Sequence, residues 1–287
     1  METKPALWVV LGPTASGKTR FAVQLAAELG GEILSADSRQ VYQGMDIGTG
    51  KDLSEYRYQG RDIPYHLIDL VSAGTHYNLY RYMQDFHKAY AEVLARGAVP
   101  ILCGGSGMYI EAVCKGYNLP EVPENKALRE RYAPLSHPEL VDVLASFGPL
   151  HNSTDTESRK RLIRAIEIAE WKQQHPESYL QFPPIEAHII GLNPPVEVRR
   201  ERIARRLDQR LQEGLVDEAR RLMEGGLSVE DMMYYGLEYK FLALYLTEAL
   251  SYDEMKTQLN IAIRQFAKRQ MTWFRGMERR GFQIHWQ

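Results

Sequence analysis

The chain has 287 residues, 44% apolar and 25% charged, with a formal net charge of -2, values that fit a globular protein of one sizeable domain with room for an insertion and exclude a fibrous or low-complexity chain. The near-neutral balance excludes a uniformly basic nucleic-acid binder, and no apolar run approaches the roughly 18 residues that a bilayer span needs. The two cysteines, Cys103 and Cys114, are too few for a disulfide framework or a zinc site, so buried thiols in a reducing, cytoplasmic setting are expected.

Residues 7–11 form an apolar run that reads as a buried strand, and it leads directly into a glycine-rich loop and a helix over 17–29 closed by Gly30 and Gly31. Further strands are expected at 32–36, 66–70 and 99–103, with a helix over 79–95 between the last two. Strands alternating with helices predict an α/β fold, a parallel sheet covered on both faces. The pattern breaks near Gly116. Residues 118–186 are rich in proline and hold short charged helices, the clearest over 157–171, and they read as a small inserted helical lobe. Residues 1–117 and 187–287 are then the core. There the strand pattern returns at 188–192, long helices follow over 196–213, 215–224, 238–249 and 252–275, and a last strand is expected at 282–286.

Residues 12–19 read Gly-Pro-Thr-Ala-Ser-Gly-Lys-Thr, the G-x4-G-K-T spacing of a P-loop between a predicted strand and a predicted helix. Gly12 and Gly17 let the backbone wrap so that the N–H groups around Thr14, Ala15 and Ser16 turn inward to phosphate oxygens. Lys18 reaches the terminal phosphates, and Thr19 can hold a magnesium ion. A P-loop specifies a di- or triphosphate and no more. Asp37 follows the second strand, at the end that faces the ligand crevice of a parallel sheet. There it can serve as a general base, a magnesium ligand or a loop cap. Two basic stripes recur at helical spacing, Arg199, Arg202, Arg206 and Arg210, then Arg264, Lys268, Arg275 and Arg279, and both suit an anionic partner.

The run 34–42, Leu-Ser-Ala-Asp-Ser-Arg-Gln-Val-Tyr, with Gly-Met-Asp-Ile-Gly-Thr at 44–49, resembles the signature of the bacterial-type tRNA dimethylallyltransferases, or tRNA isopentenyltransferases. The P-loop in this form, Pro-Tyr-His-Leu-Ile-Asp at 64–69, Gly-Gly-Ser-Gly-Met-Tyr at 104–109, Arg161 with Arg164 to Glu167, and 266–274 are similar to that family as well. The resemblance covers nearly the whole chain. It implies a P-loop NTPase-like fold and transfer of a dimethylallyl group from dimethylallyl diphosphate to N6 of the adenosine just 3′ of the anticodon, in tRNAs reading codons that begin with U. Magnesium is the implied cofactor, and neither a membrane nor an obligate protein partner is implied.

Carried over residue by residue, the resemblance gives Gly12 and Thr14 to Thr19 the donor diphosphate, with Arg202 and Arg206 as lid arginines on it. It makes Asp37 the base for the adenine amine. Ser38, Arg39 and Gln40 would touch the tRNA near the target, as would Lys160, Arg161, Leu162, Ile163 and Arg164 from the lobe and Lys268 near the end. Ser106 stands where the family usually has threonine and keeps the hydroxyl. The sequence departs from many relatives at Met233, Leu237 and Glu238, where basic residues and a tyrosine are usual, which puts RNA contacts from that segment in doubt. Two rival readings are transfer to a free adenine nucleotide and a nucleotide or nucleoside kinase.

Overall fold

The computed structural model describes residues 6–117, 119–148, 156, 158–175 and 182–287. Uninterrupted apolar runs offer no polar face to water, so they pair side by side and are covered from both sides. β1 (Leu7–Leu11), β2 (Gly31–Ala36), β3 (Tyr65–His66), β4 (Val99–Gly104), β5 (Ala187–Gly191) and β6 (Ile284–Trp286) form one sheet in the order β6-β5-β1-β4-β2-β3, every pair parallel. Parallel pairing brings the carboxyl ends to one edge, where Leu11 is in register with Gly104 and Gly191, and Ala36 with Gly104. α1 (Lys18–Leu29) covers one face, packing Ala22, Val23 and Ala26 with Val10, Ile33, Ile101 and Cys103. Alternate strand residues point to the other face. α2 (Leu79–Ala95), which packs on β2 and β4, buries Tyr82, Met83 and Phe86.

The strand expected at 66–70 shrinks to Tyr65–His66. Leu67 and Asp69 adopt left-handed backbone, with φ of 66° and 58°, which a paired strand cannot hold. α3 (Gly107–Lys115) follows β4. The chain then divides into two compact units, Met1–Lys115 with Pro184–Gln287, and Gly116–Pro183. The second unit contains α4 (Lys126–Tyr132), α5 (His137–Ser146) and α6 (Arg159–Gln174), and residue 157, the expected start of that last helix, lies outside the described residues. Its core is Leu140, Leu162 and Ile166, and the buried carboxylate of Glu167 accepts from the Arg129 side chain at 2.8 and 3.0 Å and from Arg164 at 2.9 Å.

In the first unit α7 (Val196–Gln212), α8 (Leu215–Glu224), α9 (Val229–Tyr234), α10 (Leu237–Leu246) and α11 (Tyr252–Arg279) complete the fold. Two buried charges fix the loop after β2. Glu218 on α8 accepts from the N–H groups of Asp46, Ile47 and Gly48 at 2.9, 2.8 and 2.9 Å and from the Tyr239 hydroxyl at 2.7 Å. Lys51, 1% exposed, donates to the Tyr42 carbonyl at 2.7 Å and to the carboxylates of Asp46 and Asp69. Glu218→Ala leaves four donors without an acceptor, at about 1–3 kcal/mol for each that stays buried. The expected result is a loss of several kcal/mol, read from the urea midpoint at unchanged m. A loss under about 1 kcal/mol would show that water replaces the carboxylate at little cost.

Candidate active site

The P-loop leaves β1 at Gly12 and enters α1 at Lys18. Ala15 and Gly17 are both left-handed, with φ of 61° and 88°, which turns successive N–H groups toward one concave side. Gly17 has no Cβ to oppose that turn. Lys18 is half-buried at the start of the helix and reaches the Pro13 carbonyl at 3.5 Å. Burial pushes its ammonium below the ordinary lysine range, an effect offset in part by Cys103 and Asp37. A charged amine deprived of water is primed for an anion. α11 holds the loop in place. The side chain of Gln270, 7% exposed, accepts from the Thr14 N–H at 2.8 Å and donates to the Gly105 carbonyl at 3.0 Å.

The loop opens into a cavity of about 390 Å³. Its lining holds six cations (Lys18, Arg39, Arg206, Arg210, Lys240 and Arg269) against two carboxylates, Asp37 and Glu238, a balance that selects an anionic ligand. Tyr56, Cys103, Met233, Leu237, Ile263 and Phe266 add an apolar part. Burial pushes the Cys103 thiol up to about 12, so it is no nucleophile at neutral pH. Asp37 comes off the end of β2, and its Oδ1 accepts from the Arg39 N–H at 2.9 Å. One oxygen therefore caps the loop. The other has no hydrogen-bond partner among the described residues, so capping and chemistry are compatible.

Ser106 also lines the cavity. Its Oγ accepts from the Ser38 N–H at 3.0 Å, leaving its own proton to donate. Arg39 lies over the Tyr234 ring, 5.1 Å from its centroid. Gln40 holds the loop: its Oε1 accepts from Ser35 at 2.9 Å and its Nε2 donates to the Gly50 carbonyl at 3.1 Å. It also lines the cavity, and these bonds use one donor and one acceptor site of an amide that has two of each.

The first arginine stripe is not an open surface for RNA. Arg199 is buried and donates to Asn193 at 3.1 Å. Arg206 and Arg210 line the cavity, and Arg206 pairs with Asp52. Helical spacing identifies a common face but not what it faces, and here the face turns to the P-loop. Arg202 is exposed, and its guanidinium lies near Gly17. Gly50 makes room for the arginines: a Cβ there would sit 1.8 Å from Arg210 Nη2 and 2.7 Å from Arg206 Nη2.

Within the second unit, Lys160 and Arg161 are exposed on α6. Leu162 is instead a core residue and Ile163 packs against that core, because α6 turns this side toward α5. Arg164 is held by Glu167 and by the Val122 carbonyl at 2.7 Å. On α11, Arg264, Lys268, Arg275 and Arg279 are exposed, as a phosphate-binding stripe requires. Neutralising Arg264, Lys268 and Arg275 together is expected to weaken tRNA binding and to lower the log–log salt slope by roughly 0.7–0.9 for each phosphate left without its cation. An unchanged slope would make them a solvated helix face.

Sequence reasoning missed Gln270 and Lys240, named Glu238 only as a departure from relatives in a segment whose RNA contacts it doubted, and assigned Arg210 only to a stripe. Gln270 had a signal. It falls on the inward face of α11 with Ile263, Ala267, Met271 and Phe274, all buried, and a polar residue at such a position needs a partner.

Known proteins are similar to this chain in sequence and fold. The IPP transferase family model matches residues 40–277, and an isopentenyl transferase model matches residues 5–67. A tRNA dimethylallyltransferase from Porphyromonas gingivalis is 60% identical over 96% of this chain and 92% of its own length. One from Bacteroides fragilis is 57% identical over 98% and 92%. Among solved structures, a tRNA isopentenylpyrophosphate transferase from Bacillus halodurans aligns at TM-score 0.69 with 32% identity, over 99% of this chain and 90% of that one. A eukaryotic dimethylallyltransferase acting on tRNA aligns at 0.73 with 23% identity, over 93% and 69%, which speaks to the fold alone.

Proposed function

The chain belongs to the IPP transferase family, and from that premise we propose that it transfers a dimethylallyl group from dimethylallyl diphosphate to N6 of the adenosine 3′-adjacent to the anticodon of tRNA. The observation that carries this reading is the meeting of Lys18 and Asp37 in one cationic cavity. The P-loop suits a diphosphate, and the carboxylate suits an amine.

In the transfer the allylic C–O bond breaks and an N6–C bond forms. The diphosphate departs with the C–O electron pair, and one N6 proton goes to the Asp37 carboxylate. Adenine N6 shares its lone pair with the ring and is a weak nucleophile, so taking its proton as the bond forms is worth having. Lys18, the loop N–H groups and Arg206 stabilise the charge that grows on the leaving group. The apolar lining of Tyr56 and Cys103 gives the five-carbon chain a dry place, and alignment of amine and carbon supplies the remaining advantage. The adenine must leave its stack to reach Asp37, as it does for other base-modifying enzymes.

The Thr19 hydroxyl, in the cavity lining, is a hard oxygen donor that would hold magnesium beside the substrate phosphates. It fits the ion, which when bound would neutralise diphosphate charge. No helix among the described residues is long and apolar enough to cross a membrane, and both cysteines are buried and free. These features support a cytoplasmic enzyme.

The test is to incubate the protein with dimethylallyl diphosphate, magnesium and either unmodified tRNA or AMP, and to weigh the nucleosides. Dimethylallyladenosine in the tRNA is expected. Product from AMP alone would move the acceptor to a free nucleotide, and phosphoryl transfer from ATP would make the protein a kinase.

A further inference from the structure

Among the described residues, Arg210 is the one cation in the cavity lining with buried donors left over. Its side chain is 11% exposed, and both Nε and Nη2 are buried with no hydrogen-bond partner. The Asp52 carboxylate lies 3.6 Å from Nη2, beyond hydrogen-bond reach and already paired with Arg206. Arg210 also lines a small recess beside the main cavity, together with Thr14, Ala15, Arg206 and Glu238. A guanidinium stripped of water and lacking acceptors is costly. Here the cost falls at the P-loop, where a ligand with many acceptor oxygens is expected. Glu238 faces the same recess. Burial raises its carboxyl above the usual range while Arg210 opposes the shift, so the two side chains feel each other.

We propose that Arg210 is a second guanidinium ligand, beside Arg206, of the donor's diphosphate, and that Glu238 competes with that diphosphate for it. This rests on the P-loop being the donor site. The guanidinium forms no bond to carbon and moves no proton. It supplies two fixed N–H donors to phosphate oxygens, and these gain strength as negative charge collects on the leaving group. The Glu238 carboxyl, facing the same recess and drawn to the same guanidinium charge, offsets part of what the anion gains there, which tempers affinity and eases release of diphosphate.

Inorganic pyrophosphate with magnesium, titrated calorimetrically into the full chain without tRNA, is the direct probe. Arg210→Gln is expected to weaken binding roughly 10- to 100-fold, the worth of charge-assisted hydrogen bonds. Arg210→Lys should fall between Gln and wild type. Glu238→Gln should bind several-fold more tightly, and the Arg210→Gln/Glu238→Gln double variant should match Arg210→Gln alone. A thermal melt of each variant reports folding. Unchanged affinity in a folded Arg210→Gln, beside a wild type that binds, overturns the role of Arg210 and leaves the donor site standing. Glu238→Gln weakening binding as much as Arg210→Gln also overturns it, since the pair would then be a structural bridge. A wild type that binds no pyrophosphate overturns the donor-site reading and this proposal with it.

Discussion

Asp37→Asn is expected to slow single-turnover dimethylallyl transfer by roughly 10²–10⁴ at saturating donor and tRNA, the usual worth of a positioned general base. The substitution isolates that role. The Arg39 N–H is held by Oδ1, and an asparagine carbonyl oxygen accepts the same bond, so the loop from Asp37 to Gln40 should keep its shape. What disappears is the proton acceptor on the other oxygen. Three outcomes separate the roles open to this side chain. As a base, Asp37→Asn loses turnover with donor and tRNA affinity preserved, at every magnesium concentration. As a magnesium ligand, it loses donor affinity, and added magnesium restores part of the rate. As a cap alone, it stays near wild type, because asparagine caps nearly as well as aspartate. Near-wild-type turnover would sink the base assignment.

How much of this was legible in the chain depends on whether a requirement is local. The P-loop is local: its spacing is set by backbone wrapping, and residues 12–19 form the expected loop between strand and helix. The parallel sheet was legible from apolar runs, and α2 ends where its periodicity ends. The strand over 66–70 was not: Leu67 and Asp69 are left-handed, and Leu67, Ile68 and Leu70 masked the turn signal that Asp69 carries. The arginine face of α7 was visible, but its direction depends on Gly50 and Asp52, about 150 residues earlier in the chain. Glu218 shows the same limit. In the sequence it is one acid of an amphipathic helix, and only the fold brings the amides of Asp46 to Gly48 onto it. Leu162 sits among basic residues that suggest RNA, yet a leucine at that point of a helical period belongs to the lobe's core.

Lys18→Ala should reduce transfer by at least about 10²–10³, the scale seen when one donor to a developing anion is removed, and it should leave tRNA binding nearly intact. The selectivity follows from where the ammonium sits. It is at the start of α1 and lines the cavity, while the exposed cations expected to meet tRNA phosphates are on α6 and α11. Filter binding of tRNA beside single-turnover transfer checks the split, and a parallel loss of tRNA affinity would place RNA on the P-loop. The pH dependence gives an independent check. Burial holds the Lys18 pKa below its ordinary value, near 10.4 for an unperturbed lysine. Diphosphate binding needs the charged form, so donor affinity should fall as pH rises through the lowered folded pKa, at a pH below the ordinary lysine range. Stability of the donor-free protein should move the other way. Between the lowered pKa and about 10.4 the unfolded chain holds a proton that the folded chain has released, so stability rises with pH across that window. Lys18→Ala removes both trends. Urea midpoints followed across the alkaline range should rise with pH in the pyrophosphate-free wild type, stay nearly level at saturating pyrophosphate because the loss of affinity cancels that rise, and show neither behaviour in the variant. Parallel slopes in the two proteins would assign the alkaline behaviour to another group.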